Sequence, residues 1–132
     1  MRRSFRLGLV LLAVLMLAGC GGRNSPQASV AQPTAIEAWP DNEYTDGLPE
    51  PQGIPLYVID DTSQGRFSVF YEQVDGTAWQ SWLEQLEVAG FTCRAEASEG
   101  ESENYLLTEQ GRSISASWTG DLLGISIIME ND

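Results

Sequence analysis

The sequence predicts an α+β domain in which one amphipathic helix packs on a mostly antiparallel sheet of about five to six strands, behind a cleaved signal peptide and a flexible tether. Three observations carry this. Large apolar residues recur at helical spacing in one segment, as Trp79, Trp82, Leu83, Leu86 and Ala89. Short runs rich in β-branched and aromatic residues flank that segment on both sides. The runs that follow it are separated by turns too short for anything but hairpins, and hairpins join antiparallel strands.

Taken in order, Arg2, Arg3 and Arg6 precede an apolar run from Leu7 to Ala18 that ends in Leu17-Ala18-Gly19-Cys20. The run is about a dozen residues long, against roughly 20 for a transmembrane helix. A basic segment, a short apolar segment and small residues before a cleavage point form a targeting signal. The arrangement resembles bacterial lipoprotein signals over its first twenty residues, with L-A-G-C as the specific part. The resemblance implies recognition of Leu17, Ala18 and Gly19 by a signal peptidase, cleavage before Cys20, and attachment of lipid to the Cys20 thiol. Two or three acyl chains, at about 0.8 kcal/mol per buried methylene, anchor far better than one. The expected organisation is a signal peptide over 1–19, a lipidated tether over 20–38 and a domain over 39–132. The expected location is the outer face of the cell membrane, or the outer membrane where the host has one.

Loss of the signal leaves Arg23, Arg66, Arg94 and Arg112 against nineteen carboxylates, a net charge of −15, with no lysine anywhere. Nucleic acid is excluded as a partner, because phosphate binding needs cations this chain lacks. Anionic headgroups repel it as well. The segment from Gly21 to Ala38, rich in Gly, Ser, Pro, Gln and Ala, spans roughly 23 Å as a flexible coil. That exceeds a Debye length of about 8 Å and holds the domain clear of the surface.

Four prolines between Trp39 and Pro55 predict a strap without long helices, pinned by Trp39 and Leu48. Leu56-Tyr57-Val58-Ile59 reads as a strand, Asp60 to Gly65 as a turn, and Arg66 to Val74 as a second strand. Thr77 with Gln80 three residues on forms a capping box, and Gly90-Phe91 a Schellman-type stop. Phe91 to Ala97, Asn104 to Glu109, Arg112 to Trp118 and Leu122 to Met129 complete the sheet. Ile114, Ala116 and Trp118 alternate with Ser113, Ser115 and Ser117, so one face is buried and the other wet. Ile128 and Leu122 fall opposite Ile125, Ile127 and Met129, which hints at partial cover on the second face.

With Cys20 consumed by lipid, Cys93 is left without an intrachain disulfide partner, and its place between Phe91 and Ala95 reads as a buried structural thiol. The chain has no histidine, so a Ser-His-Asp triad and a histidine metal site are excluded, and no cofactor is implied. Asp41 to Gly47 looks like an oxygen-ligand loop but holds Asp46 and Gln52 where an EF-hand needs glycine and glutamate. Glu99, Glu101 and Glu103 read as a solvated loop able at most to hold a divalent ion weakly. Asp60, Asp61, Glu72 and Asp75 are close in sequence and are the carboxylates a hydrolase would use. Trp79 and Trp82 read as core; Trp39 and Trp118 are the candidate binding surface, since tryptophan is enriched at hot spots.

Read together, Trp39-Pro40, Leu48-Pro49-Glu50-Pro51, the strand ending in Val74, Gly90-Phe91, Tyr105, Gln110-Gly111 and Ile125-Ser126-Ile127 resemble a family of small, uncharacterised lipoprotein domains common in Gram-positive bacteria. The likeness covers Trp39 to Met129 and consists of structural punctuation. It implies one α+β domain behind a lipid anchor and carries no functional residues over, because the family has no assigned activity. This chain departs from it in its acidity and its serine-rich hairpin strand. The expected function is that of a membrane-anchored envelope lipoprotein, a non-enzymatic binding or accessory module for an envelope protein or small ligand. Edge strands offer a second route to partners by strand addition. The alternatives are a weak carboxylate-based hydrolase or metal-binding protein, and a structural spacer.

Overall fold

In the computed structural model, which describes residues 31–130, the β-rich runs form seven strands: β1 (Pro33–Ala35), β2 (Ile54–Asp61), β3 (Arg66–Glu72), β4 (Thr92–Glu99), β5 (Ser102–Glu109), β6 (Arg112–Thr119) and β7 (Leu122–Met129). The helical stripe forms α1 (Gly76–Val88). The signal over 1–19, Cys20 with Leu17, Ala18 and Gly19, and the tether as far as residue 30 lie outside the described residues.

The strands make one sheet in the order β1-β2-β3-β7-β6-β5-β4, and every neighbouring pair is antiparallel. The order follows from the turns. β2 and β3 form a hairpin, and β4 to β7 form a meander whose last strand returns to β3. The connection from β3 to β4 must therefore cross four strand spacings, about 19 Å. The 13 residues of α1 span about 20 Å at 1.5 Å per residue. The helix length thus matches the width it has to cross, which lays α1 over one face of the sheet.

Seven strands are present where five to six were expected, and the additional one is β1. Its residues lie in the segment expected to be tether, and all three are exposed with no alternation to mark them. Pairing holds them: Pro33, Thr34 and Ala35 oppose Ile59, Val58 and Tyr57, and the Ile36 N–H donates to the Leu56 carbonyl at 3.1 Å.

The face under α1 is the core. Phe67, Val69 and Tyr71 of β3, Leu123, Ile125 and Ile127 of β7, Ile114 and Ala116 of β6, and Leu107 of β5 are buried against Ala78, Trp79, Trp82, Leu83 and Leu86. Each large side chain in that set contributes about 1.5–3 kcal/mol. Trp79 lies at the centre of an aromatic cluster, parallel to Trp118 with centroids 5.9 Å apart, 6.2 Å from Trp82, and edge-on to Tyr105 at 5.6 Å.

The helix starts two residues before where a Thr77-Gln80 capping box would place it. Asp75 is the N-cap, accepting from the Ala78 N–H at 2.8 Å, and Thr77 falls within the first turn. A carboxylate satisfies an orphan N–H and also favours the positive end of the helix dipole, so it outcompetes the neighbouring hydroxyl. Asp75→Ala is expected to destabilise the fold by about 1 kcal/mol, read as a lower urea midpoint at unchanged slope. At the other end the expected stop forms. Gly90 adopts φ +108°, its N–H donates to Glu87, and Phe91 N–H donates to Leu86, each at 3.0 Å. These are the two bonds of a Schellman motif, and the left-handed position selects glycine.

The strap covers the part of the core that α1 does not reach. Leu48 and Tyr44 are buried, and Trp39 meets Tyr71 edge-on at 5.8 Å. Trp82 Nε1–H donates to the Pro49 carbonyl at 2.8 Å. Tyr71 donates its phenol hydrogen to Glu50 at 3.0 Å. Burial, reinforced by that carboxylate, pushes the Tyr71 phenol above its ordinary range, so it remains the donor.

Candidate binding face

Side chains alternate across a strand, so the residues between the core positions all emerge on the side away from α1. The register assembles them into rows. One row runs Ile59, Ser68, Ser126, Ser115, Leu106, Ala95, and the next runs Tyr57, Phe70, Gly124, Ser117, Asn104, Ala97. Neither row contains a carboxylate or a guanidinium, on a chain with nineteen acidic and seven basic residues. The charges on this side sit at its two ends: Asp61, paired with Arg66 at 3.6 Å, with Arg94 beside Thr108 and Glu130 beside Ser113 at one, and Glu72 and Glu99 at the other.

The middle of the face is polar and organised. Ser68 and Ser126 share a hydrogen bond at 2.9 Å, Ser117 donates to Asn104 Oδ1 at 2.6 Å, and Ser102 and Thr119 share one at 2.8 Å. Arg94 Nε–H donates to Thr108 at 2.9 Å. Toward β2 the chemistry changes to aromatic, with Tyr57 stacked on Phe70, ring centroids 4.7 Å apart. Phe70 reaches over the backbone of Gly124, where an added Cβ would meet the ring at 3.0 and 3.2 Å. Glycine in the middle of β7 is therefore what lets the Phe70 ring approach the sheet. Ile128 and Leu122 are 39% and 46% exposed, so the cover expected on this side is absent among the described residues; the helix that would supply it lies on the core face.

Trp39 and Trp118 are placed on the core side, both half-buried and packed against the core cluster. Trp118 stacks on Trp79 and donates Nε1–H to the Val74 carbonyl at 2.7 Å. Their rings thus have packing partners within the fold, and neither joins the rows of the open face.

The acids singled out in the sequence are separated by the hairpin. Asp60 and Asp61 stand at one end of β3 and Glu72 at the other, about 20 Å away for a strand of this length. Asp60 accepts from the Thr62 hydroxyl at 2.8 Å and its N–H at 3.1 Å, which holds its carboxyl below the usual range. Asp75 caps the helix. Glu103 accepts from Trp79 Nε1–H at 2.9 Å on the core face, whereas Glu99 falls on the open one. Among the described residues no three acids or thiols gather in a metal-holding geometry. The Asp41–Gly47 loop is closed by a cation of the chain itself: Arg112 Nη1 donates to the carbonyls of Tyr44 at 3.1 Å and Asp46 at 2.7 Å. Asn42 Oδ1 takes the N–H groups of Tyr44 and Thr45.

Cys93 is exposed, not buried. It pairs with Leu107 on the core side, and the register shift between Cys93 and Ala95 puts Ala95 on the opposite face, beside Leu106. β4 is the outermost strand, with all eight residues exposed. Nearby, burial together with the charges of Glu96 and Glu103 raises the Tyr105 phenol.

The residues missed in the sequence are Tyr57, Phe70, Ser68, Ser126 and Gly124. The serine alternation of β6 was visible; its continuation across β7 and β3 depends on pairings between residues up to 58 positions apart. No family model, curated protein or solved structure matches this chain.

Proposed function

We propose that the protein is a non-enzymatic binding or accessory module of the cell envelope, anchored through lipid on Cys20 at the outer face of the membrane and presenting the open sheet face to its partner. The observation that supports this reading is the contrast between that face and the rest of the molecule: two full rows without a fixed charge, bearing a stacked aromatic pair, on a strongly acidic chain. Charge keeps such a protein soluble and repels non-specific contacts. A broad neutral area is where approach is not opposed. Antiparallel sheets commonly leave one face wet, but wet faces are ordinarily charged, and here the charges are at the two ends.

The anchor and the face are tested together. In cells, Cys20→Ala is expected to shift the chain from the membrane fraction to the soluble fraction. A photo-crosslinker at Ser115 is expected to capture a specific envelope component that the Cys20→Ala chain no longer captures. A Cys20→Ala chain that stays in the membrane fraction would overturn the lipid anchor, and a crosslinker at Ser115 that captures nothing specific would remove the open face as the binding surface.

A further inference from the structure

We infer that the ligand of the open face is an uncharged polysaccharide strand, laid across the β-strands from the Tyr57–Phe70 stack toward Leu106. The inference rests on the reading of this face as the binding surface and names its substrate class.

Charge selects the class. A polyanion is repelled by the acidic flanks, and a polycation is drawn to the carboxylates of the β4–β5 turn rather than to the neutral rows between. An uncharged polymer is the class whose electrostatics match the middle of the face. The chemistry of the two rows matches a sugar on both of its sides. Pyranose rings carry apolar C–H groups on one face and hydroxyls around the rim. The C–H groups suit what the Tyr57–Phe70 pair leaves exposed, since the two rings are stacked on each other at 4.7 Å and each is only partly buried. The hydroxyls suit an array in which Ser68–Ser126 and Ser117–Asn104 already exchange hydrogen bonds and keep acceptor lone pairs for more.

Shape selects a polymer over a small molecule. Along the two rows the depression beside Leu106 and Ser115 is about 180 Å³, smaller than the roughly 300–1,000 Å³ of small-molecule pockets, and the larger hollow of about 450 Å³ lies beyond the rows, among Arg94, Thr108 and Glu130. A chain that touches several shallow places in succession does not need depth. From β2 to β4 the rows cross five strand spacings, about 24 Å, enough for several rings. A second copy of this chain is the poorer occupant. Face-to-face pairing would bring two strongly acidic molecules together without the apolar centre that such interfaces use.

The test titrates the intact chain, purified in detergent, with a neutral β-1,4-linked hexamer of N-acetylglucosamine, followed by calorimetry and by amide shifts. Binding is expected, with shifts on β3, β7 and β6 at Ser68, Gly124 and Ser117. Ser115→Lys and Tyr57→Ala are each expected to weaken it at least tenfold, while Glu84→Gln on the helix leaves it unchanged. Ser115→Lys, at an exposed strand position, keeps the test decisive if Tyr57→Ala lowers the melting temperature. The inference is overturned by no heat and no shifts, by shifts confined to other surfaces, by undiminished binding in Ser115→Lys, or by self-association that Ser115→Lys abolishes. Specific capture of an envelope protein at Ser115 without hexamer binding would overturn the glycan and leave the binding face standing; failure of both removes the face itself.

Discussion

Trp79→Ala is expected to destabilise the domain by about 3–5 kcal/mol, the range for truncating a fully buried large aromatic. Trp79 is completely buried, touches Trp82, Tyr105 and Trp118, and hydrogen bonds Glu103. Domains of this size have about 5–15 kcal/mol in total, so the loss is a large part of what holds α1 to the sheet. Trp79→Phe keeps a ring but deletes the donor to Glu103, and is expected to cost less. Urea unfolding followed by far-ultraviolet circular dichroism checks both. An unchanged midpoint in Trp79→Ala would show that the cluster does not support the fold.

Arg112→Met is expected to free the strap without unfolding the sheet. The guanidinium is 13% exposed and meets Glu109 at 2.8 Å, the carbonyls of Tyr44 and Asp46, and the ring of Phe91 at 5.2 Å. Hydrogen bonds to charged groups contribute about 1.5–3 kcal/mol each, and methionine replaces none of them. Hydrogen exchange is expected to accelerate at least tenfold over Asn42–Leu48, while β3, β7 and β6 keep their protection. Arg112→Lys is expected to recover only part of the effect, because a single ammonium cannot span three acceptors in the plane of a guanidinium. Equal protection of the loop in wild type and Arg112→Met would refute the clasp.

Much of the fold was legible in the residues. The stripe Trp79, Trp82, Leu83, Leu86 identified the helix, and all four are buried. Gly90-Phe91 identified its end, because the left-handed position and the 6→1 bond are local. The hairpins of β5, β6 and β7 were visible in their short turns, and Trp39 and Leu48 pin the strap. Local chemistry misled where two neighbours competed: Asp75 took the cap from Thr77. β1 was not legible, since three exposed residues without alternation form a strand only against an existing edge. The register shift between Cys93 and Ala95 was equally hidden, and so was the place of β4 at the edge of the sheet, which leaves the thiol exposed. The candidate face was half visible, as Ser113, Ser115 and Ser117.

The sequence by itself determined the class of the domain, the helix and its stop, the wet side of β6, and a strongly acidic composition. These depend on period, turn length and composition, which act over a few residues or over the chain as a sum. The tertiary structure alone decided which strands became neighbours, and so brought Ser68 to Ser126, Tyr57 to Phe70 and Phe70 to Gly124. It also set Glu72 apart from Asp60 and clasped the Asp41–Gly47 loop with Arg112. Pairing between distant strands is fixed by how β3, β7 and β6 together bury one apolar face under α1, and the opposite face is assembled as a consequence.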